Sequence, residues 1–326
     1  MSPTDLGEQL TKYLTDAHSI EEQALPQMEL GRRIAGDPEL AREFAQHHAE
    51  TRQHERLVRD RLAARGAAPS KLKDVAGSVI GVGFALFAKL NPDTPGKLVA
   101  HGFSYEHMEL AAYDLLARVA ERAGDQATVG AAREIGEQER MMAVRLESAF
   151  DRAVDASLRD VSPDGLGKRL NSYLTDAHAL EAQAVQLLDK GSSLVGASQL
   201  AAAFREHLAE TREQQRLIDE RLSARGAGPN KLKDAALSLG ALNWGGFFGA
   251  QPDTPPKLAG FAYAFEHLEI AAYELLRRVA RRAGDAETEA VAEQILGEER
   301  RAAGRVHSLF DEALDASLDG GSAPAV

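Results

Sequence analysis

There is no cysteine among the 326 residues. Disulfides, iron–sulfur clusters and thiolate zinc sites are therefore excluded together, and any metal must be held by oxygen and imidazole. Positive charge is also short, with 38 Lys and Arg against 50 Asp and Glu and a formal net charge of −12. Affinity for phosphate backbones rests on clustered Lys and Arg, so nucleic acid is not expected as a partner. Lys71-Leu72-Lys73 and Lys231-Leu232-Lys233 are too short to overturn that. Long hydrophobic runs are missing as well. The most apolar stretches, Val75 to Phe87 and Leu237 to Phe248, fall below the ~20 residues of a membrane-spanning helix, which argues against a membrane. Met1-Ser2-Pro3-Thr4-Asp5 shows neither the basic nor the apolar region of a secretory signal, which leaves the cytoplasm as the expected compartment.

What is there is one domain written twice. Tyr13-Leu14-Thr15-Asp16-Ala17-His18 recurs as Tyr173-Leu174-Thr175-Asp176-Ala177-His178, and Asp155-Ala156-Ser157-Leu158 as Asp315-Ala316-Ser317-Leu318, at an offset of 160 residues without a gap. Solenoid repeats are roughly 20–50 residues long, so each copy is large enough to bury its own core. The expected domains are residues 1–158 and 162–318, joined by a short linker around Ser162-Pro163-Asp164-Gly165 (residues 156–168) and followed by a disordered tail, 319–326.

Alanine, leucine, glutamate and arginine dominate, and β-branched runs are scarce. The first copy reads as four long helices, near 6–35, 38–65, 98–123 and 126–153, punctuated by Gly36-Asp37-Pro38, Arg65-Gly66 and Ala123-Gly124-Asp125. Each glycine can close one helix and each aspartate cap the next. The fold class is thus all-α, two tandem four-helix bundles, each with a long crossover between helices two and three. The apolar stretches above belong to these crossovers, as a buried crossover helix or a subunit contact, with association at a membrane surface as the alternative. Pro26, matched by Gln186, is expected to break the first helix of the first copy.

Carboxylates and histidines interrupt the apolar faces of these helices. Glu21 lies within the stripe Leu14, Ala17, Ala24, Leu25 and Met28, and Glu181 repeats it. On the second helix His47, Glu50, Thr51 and His54 fall on or beside the stripe Leu40, Phe44, Val58 and Leu62, matched by His207, Glu210, Thr211 and Gln214. Spacings of three and four let His47 and Glu50, and Glu50 and His54, address one point. The third helix carries Glu106 and Glu109, repeated as Glu266 and Glu269. The fourth carries Glu139, repeated as Glu299, within the stripe of Ile135, Met142, Leu146 and Phe150. At an effective dielectric of about 20, two carboxylates ~4 Å apart repel by roughly 4 kcal/mol, before any desolvation. Protons or cations must compensate. A dinuclear metal centre supplies about four positive charges, and glutamate-rich sets with one or two imidazoles suit iron or manganese.

His47-x-x-Glu50-Thr51 and His207-Leu208-x-Glu210-Thr211, followed by Glu-His-x-Glu-x-Ala-Ala-Tyr at 106–113 and 266–273 and by Glu139 or Glu298-Glu299, resemble the ferritin-like stress proteins of the YciE/YciF type. The resemblance implies ferritin-like bundles, a di-metal site in each and an association with stress. Carried over by position, it implies metal ligands at Glu21, His47, Glu50, Glu106, Glu109 and Glu139, and at Glu181, His207, Glu210, Glu266, Glu269 and Glu299. His54, on the same face, joins them as a candidate, although the family usually has Gln there, as at Gln214. Gln138 likewise replaces the first of the paired acids seen at Glu298-Glu299. If redox active, such metals would react with dioxygen or peroxide, beside Tyr113 and Tyr273, one turn after Glu109 and Glu269. The expected partners are metal ions and, beyond them, a second copy or another protein. The competing reading is a metal-free helical scaffold or interaction protein whose inward acids are neutral or paired with Arg52, Arg56 and Arg140.

Overall fold

The computed structural model describes residues 5–69, 94–229 and 253–318. The chain divides into two compact units at Arg159 and Asp160. The first contains α1 (Leu6–Ile34), α2 (Pro38–Ala64), α3 (Thr94–Arg122), α4 (Gln126–Ser148) and a short α5 (Phe150–Leu158). The second repeats the series as α6 (Leu166–Leu194), α7 (Gln199–Ala224), α8 (Thr254–Arg282), α9 (Ala286–Ser308) and α10 (Phe310–Leu318). There is no strand among the described residues. The apolar stretches 75–87 and 237–248 and the tail 319–326 lie outside them.

Helix ends follow the punctuation of the chain. The carboxylate of Asp37 accepts from the amides of Glu39 and Leu40, with Pro38 at the first helical position where no amide is needed. Asp125 accepts from the Thr128 amide at 3.0 Å and opens α4. Gly36 turns the chain at φ 67°, and a Cβ there would meet the Pro95 ring at 2.9 Å, so this turn admits glycine alone. The first helix is not broken. Pro26 sits within a continuous α1 on its exposed side, where water can take the carbonyl that loses its amide. The fourth stretch is interrupted instead: the chain turns at Ala149, whose amide bonds to the Leu146 carbonyl. That turn swings α5 against α3, so that the rings of Phe150 and Phe103 meet edge-on at 5.6 Å. Residues 156–158, expected in the linker, complete α5, and Pro163–Gly165 form a single 3-10 turn.

Within each bundle the first helix packs on the second and third, and the fourth on the third and second. Contacts fix the directions. Gln27 and Ile20 of α1 meet His101 and Tyr105 of α3, while Glu50 and Arg61 of α2 meet Arg145 and Thr128 of α4. Both pairs are antiparallel, as are α1 and α2 across their short turn. Hence α2 and α3 run parallel, the arrangement that a long connection serves. One end of the first bundle is tied by Arg65, which donates to the Gly7 carbonyl, the Thr11 hydroxyl and Asp125. Arg225 does the same with Gly167, Asn171 and Asp285 in the second.

The apolar core is tightly fitted. Phe44, fully buried, lies in a notch left by two glycines, where a Cβ on Gly31 would come within 3.0 Å of its ring and one on Gly102 within 3.5 Å. Gly191 and Phe204 repeat the first of these contacts. Gly31→Val should therefore overfill the notch and cost about 1–3 kcal/mol. Gly130→Ala, at an exposed position of α4 with nothing within 4 Å, should gain about 0.5–1 kcal/mol from backbone entropy. Urea unfolding of the two variants checks the opposite signs.

Candidate metal centre

His47 projects from α2 into the interior with no exposed surface, and Thr51, one turn on, donates back to its carbonyl at 2.9 Å. The Nδ1 atom of His47 lies 2.9 Å from Glu50 Oε2, and its Nε2 atom 3.1 Å from both Glu106 Oε2 and Glu139 Oε2. The two oxygens of Glu139 serve different imidazoles, because Oε1 lies 2.7 Å from His54 Nδ1. On the other side of His54, Nε2 meets Gln138 Oε1 at 2.9 Å. Glu21 Oε2 is 3.7 Å from His54 Nδ1, and Tyr113 donates its hydroxyl to Glu21 Oε1. Four helices thus deliver one polar layer. Within it the ligand atoms of His47, Glu106, Glu109 and Glu139 lie within 4.8 Å of one another, as do those of Glu21, His54 and Glu139.

The second bundle builds the same layer with one change. His207 Nδ1 is 2.9 Å from Glu210 Oε2, and Nε2 is 2.9 Å from Glu266 Oε2 and 3.3 Å from Glu299 Oε2. Tyr273 donates to Glu181, as Tyr113 does to Glu21. His207, Glu266, Glu269 and Glu299 form the one group of this kind among the described residues of that bundle.

The family model described as "Domain of unknown function (DUF892)" matches residues 5–159 and again residues 166–319. The chain belongs to the DUF892 family, twice in tandem. No solved structure matches it. Both polar layers lie wholly within the matched stretches, so each DUF892 domain carries a complete one.

Glu181, buried and bonded to Tyr273, falls outside these groups, and so do Glu50 and Glu210. The latter two sit on the outer, Nδ1 side of their histidines, partly exposed, and are held there by Arg145 at 2.9 Å and Arg305 at 2.6 Å respectively. A carboxylate at Nδ1 keeps the proton on that nitrogen and turns Nε2 toward the interior, which is an orienting role. Neither arginine was singled out in the sequence, since a basic residue beside the stripe of a fourth helix is ordinary. Also unforeseen was the group of His18, Glu22 and Glu55 between α1 and α2. Glu55 there accepts from Arg59 Nε at 2.8 Å, and the second DUF892 domain has Ala182 and Gln215 in place of the two acids. The only forewarning was the four-residue spacing of His18 and Glu22.

Burial and mutual repulsion set the charges inside. Desolvation, aided by the charge of Glu139, pushes Glu21 up to about 8, and burial takes Glu106 to about 8 and Glu109 well above the usual carboxylate range. Burial would lower the two histidines, but their carboxylate neighbours prevail, raising His47 well above the ordinary imidazole value and His54 to about 8. Burial would likewise raise Glu139, yet hydrogen bonds from His47 and His54 hold it below the carboxylate range. Arg52, Arg56 and Arg140 are exposed and take no part. Without a metal, protons and imidazolium therefore carry the compensating charge.

Both oxygens of Glu109, and both of Glu269, are buried with no hydrogen-bond partner. Such groups ordinarily find a partner, and leaving one without costs about 1–3 kcal/mol. Oxygen and imidazole donors converging on unbonded carboxylates fit a hard or borderline divalent cation. Each DUF892 domain therefore contains a buried His/Glu group compatible with metal binding.

Proposed function

We propose that each DUF892 domain binds iron or manganese within its bundle, through His47, Glu106, Glu109 and Glu139 in the first and His207, Glu266, Glu269 and Glu299 in the second. The resemblance to YciE/YciF-type proteins supports a stress or oxidative-stress role in the cytoplasm. The observation that carries the reading is the pair Glu109 and Glu269, acids with nothing to bond to beside an imidazole and two further acids. Bound iron or manganese would supply electron exchange with dioxygen or peroxide.

The chain's own part is to hold donors and move protons. Glu50, fixed by Arg145, keeps the Nδ1 proton on His47, so that loss of the Nε2 proton leaves a lone pair facing Glu106 and Glu139. The protons on Glu106 and Glu109 are those that a cation would replace. Tyr113 steadies Glu21 through its hydroxyl. The residues one turn from Glu21 and Glu139 on the same faces, Ala17, Ala24 and Met142, are apolar and buried, and a dry setting strengthens each of these interactions.

Chelator-treated protein, re-exposed to manganous ion or to ferrous ion without oxygen and then desalted, should retain metal. A Glu139→Ala/Glu299→Ala variant, checked for its helical content, should lose it. Equal metal content in the two proteins overturns the reading.

A further inference from the structure

At the offset of 160 residues, Glu21, His47, Glu50, Glu106, Glu109, Tyr113 and Glu139 all find the same residue in the other copy. Within the polar layer the exchanges are His54 for Gln214 and Gln138 for Glu298. They alter what Glu139 and Glu299 can share. In the first bundle Glu139 offers Oε2 on the His47 side and Oε1 on the His54 side, so the groups around the two imidazoles meet at one carboxylate. Glu21 adds a third donor to the His54 side, and its Oε2 atom is buried with no hydrogen-bond partner. In the second bundle Gln214 Nε2 occupies the equivalent place, donating to Glu299 Oε1 at 2.6 Å and to Glu298 Oε2 at 3.0 Å.

The chemistry of the two side chains differs in kind. An imidazole nitrogen that gives up its proton presents a lone pair, whereas an amide nitrogen has two hydrogens and no lone pair to offer. Gln214 could present its carbonyl only by turning over, which gives up both hydrogen bonds to the acids. Glu181 and Glu299 would then be the remaining donors on that side, without an imidazole.

We propose that the two halves load unequally: two divalent cations sharing Glu139 in the first half and one in the second, with His54 as the residue that makes the difference. This rests on the metal-binding reading above. The probe is manganous ion alone, added to the chelator-treated full chain. Bound manganese should reach about three ions per chain, and paramagnetic resonance should show an exchange-coupled pair besides an isolated ion. His54→Gln, which installs the residue that the second bundle already accommodates, should remove the coupled signal and about one ion. Gln214→His should instead raise the content and add a second coupled pair. No manganese in any of the proteins defeats the metal-binding reading itself. Equal loading of the halves, or a coupled pair that survives His54→Gln, overturns the unequal loading while leaving that reading intact.

Discussion

Ferrous or manganous ion at about a hundred times its dissociation constant is expected to stabilise each half of the chelator-treated protein by about 2.7 kcal/mol. For domains of this size that raises the melting temperature by about 5–10 °C. The effect arises because the donors converge only in the folded bundle, so the ion is bound by the native state and not by the unfolded chain. Melting followed by circular dichroism, with and without metal and again after chelator, measures it. A melting temperature indifferent to both would leave a helical scaffold whose interior acids are balanced by protons. The pH dependence provides an internal check. Glu21 and Glu106 titrate near 4.5 when unfolded and near 8 when folded, so the fold holds protons that the unfolded chain has released. His47 and His54 are also raised and act in the same direction. Metal-free stability should accordingly fall as pH rises from about 4.5 through about 8. Glu50 and Glu139 are depressed and oppose this only at lower pH, where their contribution is lost as pH falls. With metal bound, the cation replaces the protons, and the fall should flatten.

Glu109→Leu combined with Glu269→Leu should do two opposite things. In metal-free protein it removes two buried acids that bond to nothing, and stability should rise by about 1–3 kcal/mol per site. In the presence of metal the same variant should lose most of the stabilisation described above. Glu139→Leu is the contrast. Its carboxylate faces both imidazoles, and removing one partner of a buried charged set costs about 3–5 kcal/mol. Denaturant titrations of the three proteins, with and without manganous ion, separate the cases. If Glu109→Leu/Glu269→Leu destabilises the metal-free protein as Glu139→Leu does, the acids are structural and the metal centre fails. The inversion is what a functional site built at the expense of stability should show.

Much of this was legible from residue order. Glu21 among Leu14, Ala17, Ala24 and Met28 has no solvent side to turn to, so its burial follows from helical period alone. Glu106, Glu109 and Glu139 follow for the same reason, and all are fully buried. Glu50 was the harder case, because a residue beside the stripe can lean either way. Arg145, 95 positions along the chain, draws it outward onto Nδ1 of His47. Pro26 suggested a break that the helix does not make, since the effect of a proline depends on whether the freed carbonyl faces water or core.

Repetition and helical period are local properties of a chain, written in offsets of three, four and 160 residues. They suffice for two all-α copies and for the inward placement of acids and imidazoles. Which oxygen meets which nitrogen is a matter of distances between helices. Only packing could place Glu139 between two imidazoles, set Glu299 against an amide, and leave Glu109 and Glu269 without a partner. Period assigns a side chain to a face, but the neighbour across that face comes from elsewhere in the chain.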